Sequence, residues 1–169
     1  VSEGKRYEMK NELVLVIDFG AQYNQLIARR VREANVYCEV IPYNATIERI
    51  KAMKPKGIIF SGGPASVLDK GAPICDKGIY ELGIPVLGIC YGMQLMGYML
   101  GGEVRKADKR EYGKMEIDVD ADSVLFEDVE PQTTCWMSHT YHVSRLPEGF
   151  RNVASSKGCP AGAMENREK

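Results

Sequence analysis

Gly88-Ile89-Cys90-Tyr91-Gly92-Met93-Gln94 decides how the chain reads. The apolar run Pro85-Val86-Leu87 precedes it, and Leu95-Met96-Gly97-Tyr98-Met99-Leu100, closed by Gly101-Gly102, follows. This pattern predicts a buried strand, a very tight turn with Cys90 at its apex, and a helix ended by glycine. Gly-x-Cys-x-Gly has the form of a nucleophile elbow with sulfur in place of the serine oxygen. The flanking glycines let strand and helix approach closely while the apical residue is held in a strained turn. The helix that starts there aims free N–H groups and its positive dipole end at the sulfur, which predicts a lowered thiol pKa and a thiolate nucleophile. A cysteine after an apolar strand can also simply fill space. Glycine on both sides, with a strand before and a helix after, favours the reactive reading.

Outward from the elbow toward the N-terminus, apolar strands alternate with helical periodicity. Leu13 to Ile17 is a continuous apolar run of the kind buried on both faces of a parallel sheet, ending in the turn Asp18-Phe19-Gly20. Leu26, Ile27, Val31 and Ala34 recur at helical spacing, with Arg29, Arg30 and Arg32 on a solvated face. Val36 to Ile41 predicts the next strand, Asn44-Ala45-Thr46 offers an N-cap for a short helix through Ile47, Ile50 and Met53, and Gly57 to Ser61 predicts a third strand. The rigid turn Gly62-Gly63-Pro64 follows, then a helix over 74–82 and the strand Pro85 to Ile89.

This order predicts an α/β fold: a doubly wound, mostly parallel, flavodoxin-like sheet with helices on both faces. Gly62-Gly63 and Cys90 fall at the carboxyl ends of consecutive strands, where the active crevice of such sheets lies. Backbone N–H groups thereby come near the sulfur, as an oxyanion hole requires. Past Gly102 the segments Glu103 to Lys106, Gly113 to Val119 and Thr133 to Met137 predict shorter strands, with a final pair over 150–155 and 161–165. They form a C-terminal antiparallel extension. Residues 1–11 read as a polar leader and 12–169 as one domain.

Composition narrows the function. The 22 Lys and Arg nearly balance the 23 Asp and Glu, so no global charge argues for nucleic acid or an anionic membrane. The five cysteines are odd in number and lack a C-x-x-C pair, against a disulfide framework or a zinc site. Reduced thiols predict a cytoplasmic setting, and no apolar run is long enough to span a bilayer. No metal and no phosphate-binding glycine loop are expected in this chain.

The only histidines, His139 and His142, lie in Trp136-Met137-Ser138-His139-Thr140-Tyr141-His142, which reads as a polar loop after a strand. Taken from the residues alone, one of them is a candidate base for Cys90, or His139 is hydrogen-bonded locally. Ser138 and Thr140 are either turn residues or ligands to a substrate's polar ends. Trp136 and the stripe Met93, Met96, Tyr98, Met99 read as core, and Asp18 and Gln22 as turn and cap residues.

Four segments in this order carry a family resemblance: Leu15 to Tyr23, Ser61-Gly62-Gly63-Pro64, Gly88 to Gln94 and Trp136 to His139. Together they resemble class I glutamine amidotransferases, over about Leu13 to the end. Within that class, Asp18 to Tyr23 and Trp136 to His139 are most similar to the glutaminase domains of GMP synthetases. The resemblance implies that Cys90 attacks the side-chain amide of glutamine and that the N–H groups of Gly63 and Tyr91 hold the oxyanion. It implies that Gln94, Ser138, Thr140 and Tyr141 meet the amino-acid end of glutamine, the last three largely through backbone. A glutamyl thioester is then hydrolysed. The ammonia is expected to serve an ATP-pyrophosphatase synthetase domain or subunit, with ATP and Mg bound there, which aminates xanthosine monophosphate to GMP in purine biosynthesis. No cofactor is expected in the glutaminase domain itself.

Two departures follow from the same resemblance. The family has glycine and aspartate where this chain has Thr140-Tyr141. Its catalytic histidine and glutamate lie in a His-Pro-Glu segment that would fall after Lys169, so the chain is expected to be a piece cut short of that dyad and nearly inert alone. Other readings are the glutaminase of carbamoyl-phosphate or anthranilate synthesis, or a non-catalytic module of the same fold. A glutamine-analogue electrophile that labels Cys90 separates the enzymes from the module.

Overall fold

The computed structural model describes residues 12–63 and 66–168, with the backbone alone for 108–111. The polar leader and Pro64 lie outside these residues. β1 (Leu13–Asp18), β2 (Tyr37–Pro42), β3 (Gly57–Phe60) and β4 (Val86–Gly88) form a parallel sheet in the order β2-β1-β3-β4. α1 (Asn24–Glu33) and α2 (Ile47–Met53) are crossover helices, and α3 (Tyr91–Met99) leads from β4 into the second half of the chain. α1 covers one face through Ala28, Ile27 and Val31 against Val16 and Cys38. The other face carries Leu15, Ile17, Ile58 and Phe60, and buries Ile50 of α2 and Leu95 of α3 in the main core. Strand residues thus alternate between two helix layers, which is why both sets are apolar.

Local chemistry sets the helix ends. The Thr46 hydroxyl accepts from Arg49 N at 3.3 Å to cap α2, and Lys54 ends it in a left-handed conformation one residue before Pro55. The helix expected over 74–82 is a correction: only a 3₁₀ segment, Lys77–Glu81, forms there. Asp76 Oδ1 accepts from Gly78 N at 2.8 Å to start it, and Gly83, at φ 66°, follows it. Both glycines weaken a longer helix. Of the stripe on α3, Met96 is buried but Tyr98 is exposed.

The second half is a separate antiparallel sheet of order β6-β5-β7-β8, made of β5 (Glu103–Val119), β6 (Gln132–Arg145), β7 (Arg151–Ser155) and β8 (Ala163–Glu165). The two segments expected at 103–106 and 113–119 are one strand, whose pairing with β6 slips between Lys106 and Glu111, opposite Thr140. A second small core of Ile117, Val119 and Ala154 receives Cys135 and Met137. The sheets meet where α3 packs on β6. A Cβ on Gly97 would lie 2.9 Å from Val143 Cγ2, so glycine sets that spacing.

β6 overturns two expectations. Trp136 and Met137 lie in the expected strand, but Ser138 and His139 continue it rather than forming a loop, paired as Ser138↔Tyr112 and His139↔Glu111. Trp136 is not core but 74 % exposed. The period of two decides this: Cys135 and Met137 face the small core, so Trp136 shares the opposite, open face with Thr134 and Ser138.

Candidate active site

Cys90 sits between β4 and α3 at φ 51°, ψ −109°, a backbone region that L-residues hold only under strain. Both flanking glycines are required by contact. A Cβ on Gly88 would come within 2.7 Å of Gly92 C and Met93 N, and one on Gly92 within 2.5 Å of Phe60 O. The corner is fastened by Gly92 N donating to Ser61 O (3.1 Å) and to Ile89 O (2.9 Å), and by Gln94 N donating to Cys90 O (3.1 Å). The strained turn anticipated from Gly-x-Cys-x-Gly is therefore present.

The glycine turn after β3 lies beside it. A Cβ on Gly62 would be 3.7 Å from Cys90 Cβ, and one on Gly63 3.3 Å from Tyr91 Cγ. The Tyr91 ring is buried against Phe19, with centroids 5.5 Å apart, and its hydroxyl donates to Pro73 O at 2.8 Å. That anchoring fixes the first residue of α3, whose backbone N–H begins the helix beside the sulfur.

Cys90 opens to solvent at the crevice mouth, yet its surroundings desolvate the sulfur. Burial pushes the thiol's pKa up, opposite to the direction the helix dipole alone predicts. That direction favours the protonated thiol over the thiolate, so attack by sulfur calls for a base. Among the described residues no group of His, Cys, Asp and Glu is arranged to hold a metal.

A pocket of about 110 Å³ joins the elbow to β6. Cys90, Met93 and Gln94 form one wall, and Trp136, Ser138, His139, Tyr141 and His142 the other, with Cys159, Ala161 and Gly162 at one side. Gln94 Nε2 donates to Tyr141 O at 3.1 Å and ties the two walls together. Of the expected substrate-binding residues, Gln94, Ser138 and Tyr141 thus converge on Cys90. Thr140 is not among the lining residues; its hydroxyl lies 3.0 Å from Tyr112 OH. Asp18 is a turn residue, its Oδ1 accepting from Gly20 N. Sequence reasoning missed Trp136, Met93 and Cys159 as pocket residues. The strand period carries a signal for the first; the other two depend on packing between distant segments.

On its other side Cys90 borders an apolar groove of about 760 Å³ along β3 and β4, where Leu87 is 39 % exposed. None of the described helices is long and apolar enough to cross a membrane.

The sequence model of the family described as "Glutamine amidotransferase class-I" matches residues 15–169. The chain belongs to the class I glutamine amidotransferases. It is 68 % identical over 161 residues to the GMP synthase [glutamine-hydrolyzing] of Acetivibrio thermocellus, a match covering 95 % of this chain and 32 % of that protein. The GMP synthase of Ruminiclostridium cellulolyticum matches equally, at 68 % over 161 residues. The chain therefore spans about a third of the length of the curated relatives it matches. Among solved structures, a candidate GMP synthase component from Thermoplasma acidophilum superposes with a TM-score of 0.81 at 27 % identity, over 93 % of this chain and 79 % of that one. A glutamine amidotransferase from Thermotoga maritima shares the fold, with a TM-score of 0.72 at 17 % identity, over 94 % of this chain and 73 % of that one.

Proposed function

We propose that this chain is the glutamine-hydrolysing part of a GMP synthase. The observation that carries the reading is Cys90, strained at a strand–helix corner, beside the Gly62-Gly63 turn and open to a pocket lined by Gln94, Ser138 and Tyr141. The relatives at 68 % identity support the synthase assignment. Cys90 Sγ gives its proton to a base and attacks the amide carbon of glutamine, forming a C–S bond. Gly63 and Tyr91 N–H groups hold the tetrahedral oxygen. The C–N bond breaks, the nitrogen takes a proton and leaves as ammonia, and water then cleaves the thioester to glutamate and the thiol. Gln94, Ser138 and Tyr141 are proposed to hold the amino-acid end of the substrate, with Thr140, whose hydroxyl is turned to Tyr112, contributing through its backbone.

The ammonia would be consumed by an ATP-pyrophosphatase synthetase domain or subunit, which binds ATP and Mg and aminates xanthosine monophosphate in the cytoplasm. We place the general base in the His-Pro-Glu segment that the family resemblance puts after Lys169, with His139 and His142 as pocket walls. His139→Asn and His142→Asn in the full-length enzyme are then expected to leave the pH profile of kcat in place, and loss of its acidic limb in either would give that histidine the role. For the whole reading, Cys90→Ala is expected to abolish glutamine-dependent GMP formation while ammonia-dependent formation persists. Retained glutamine dependence would overturn it.

A further inference from the structure

We propose that Ser61 is a positioning residue for the oxyanion hole, holding the Gly62–Gly63 peptide so that the Gly63 N–H faces the reacting carbonyl oxygen. The inference rests on the glutamine-hydrolysis reading above. Ser61 is fully buried, and each of its polar groups is engaged with a different part of the site. Its N–H donates to Ile17 O and its carbonyl accepts from Gly92 N, both at 3.1 Å. Its hydroxyl oxygen accepts from Phe19 N at 3.1 Å and donates to Gly62 O at 2.9 Å. One residue thereby connects the end of β1, the glycine turn and the first turn of the nucleophile helix.

The bond to Gly62 O has a geometric consequence. A trans peptide is planar, so its C=O and N–H point in opposite directions. Gly62 O and Gly63 N–H belong to the same peptide. Turning that carbonyl inward to the buried hydroxyl turns the N–H outward. The peptide lies along the elbow, since Cβ positions on Gly62 and Gly63 fall 3.7 Å from Cys90 Cβ and 3.3 Å from Tyr91 Cγ. Glycine on both sides of a peptide leaves its plane free to rotate, so the turn needs an external hold to keep one orientation. Ser61 supplies it from the core, without touching substrate.

The test separates oxyanion stabilisation from nucleophile placement in the full-length enzyme. Ser61→Ala is expected to lower kcat for glutamine hydrolysis about 10–100-fold, a partial form of the loss seen when an oxyanion donor is removed, with KM within about twofold. Alkylation of Cys90 by iodoacetamide, read by peptide mapping, is expected to stay within about twofold. That reaction forms a C–S bond as iodide leaves and builds no oxyanion, so it senses the fold and the thiol alone. An unchanged kcat would overturn the proposal, as would an equal loss in both reactions, which marks a structural role only. A wild-type enzyme that alkylates at Cys90 yet hydrolyses no glutamine would bring down the functional reading and this inference with it. If the alanine variant does not fold, Ser61→Cys, which refills the site with a weak donor, carries the same comparison.

Discussion

At the scale of single residues, two opposing influences act on Cys90. The N-terminus of α3 favours a thiolate, while desolvation raises the thiol's pKa. Desolvation acts on the sulfur itself, whereas the dipole is screened at a crevice open to water. Alkylation of Cys90 by iodoacetamide is thus expected to titrate with a midpoint above that of a free cysteine, measured on residues 12–169 from the pH dependence of the rate. A midpoint below it would show that the dipole wins. The backbone makes a second prediction. Holding an L-residue at φ 51° costs about 1–3 kcal/mol, which glycine avoids, less about 0.5–1 kcal/mol for its extra unfolded-state freedom. Cys90→Gly is therefore expected to unfold at higher urea than Cys90→Ala, by roughly 1 kcal/mol. Both variants lack the sulfur, so the comparison isolates the turn. Equal midpoints would mean that the elbow stores no strain.

At the scale of elements, the distance between α3 and β6 sets the width of the pocket, and Gly97 sets that distance. With Val143 Cγ2 2.9 Å from a Cβ on Gly97, Gly97→Ala is expected to cost about 1–3 kcal/mol by overpacking. Adding Val143→Ala should recover part of it, giving a favourable coupling energy in a double-mutant cycle of urea unfolding. Strict additivity would remove Gly97 from that role. Elements differ in how legible they were. β1 and β3 are uninterrupted apolar runs buried between helix layers, so residue type alone located them. The elbow was legible because Gly88 and Gly92 are needed for contact, and contact leaves a sequence mark. The segment 74–82 failed because Asp76 and Gly78 favour a single tight turn over the apolar spacing of Ile74, Ile79 and Leu82. Trp136 was misplaced because its size suggested burial, whereas the alternation with Cys135 and Met137 puts it on the open face. The part played by Ser61 was hidden: it depends on Phe19 N and Gly62 O meeting one side chain, and no spacing in the chain encodes that.

At the scale of the whole molecule, the main core runs from the parallel sheet into the antiparallel one through Val104 and Val143, a smaller core lies around Ile117, Val119 and Ala154, and the β7–β8 hairpin is anchored by charge as well as by Met164 and Ala163. Arg151 pairs with Asp120 and, at 3.1 Å, with Glu165, which also pairs with Arg167 at 2.9 Å and accepts from the Ser123 hydroxyl. The Glu165 side chain is only 9 % exposed. The Ser123 hydrogen bond, helped by the two arginines, lowers its pKa to about 2 from an ordinary 4.5. A depressed carboxylate contributes stability that is complete above the ordinary value and is lost as pH falls from about 4.5 toward 2. The hairpin carries Ala163, which packs on the small core, and Gly162, which lines the Cys90 pocket. Loss of this anchor is therefore expected to loosen one side of the pocket before the parallel sheet unfolds. Hydrogen exchange is expected to show β7 and β8 losing protection in that window while β1 and β3 keep theirs. Glu165→Gln should lower the hairpin's protection at pH 7, by about 2 kcal/mol, and flatten its dependence on acid. A variant as acid-sensitive as the wild type would place the titrating group elsewhere, with Asp120, also depressed by its Asp122 backbone bond and Arg151, the next to replace.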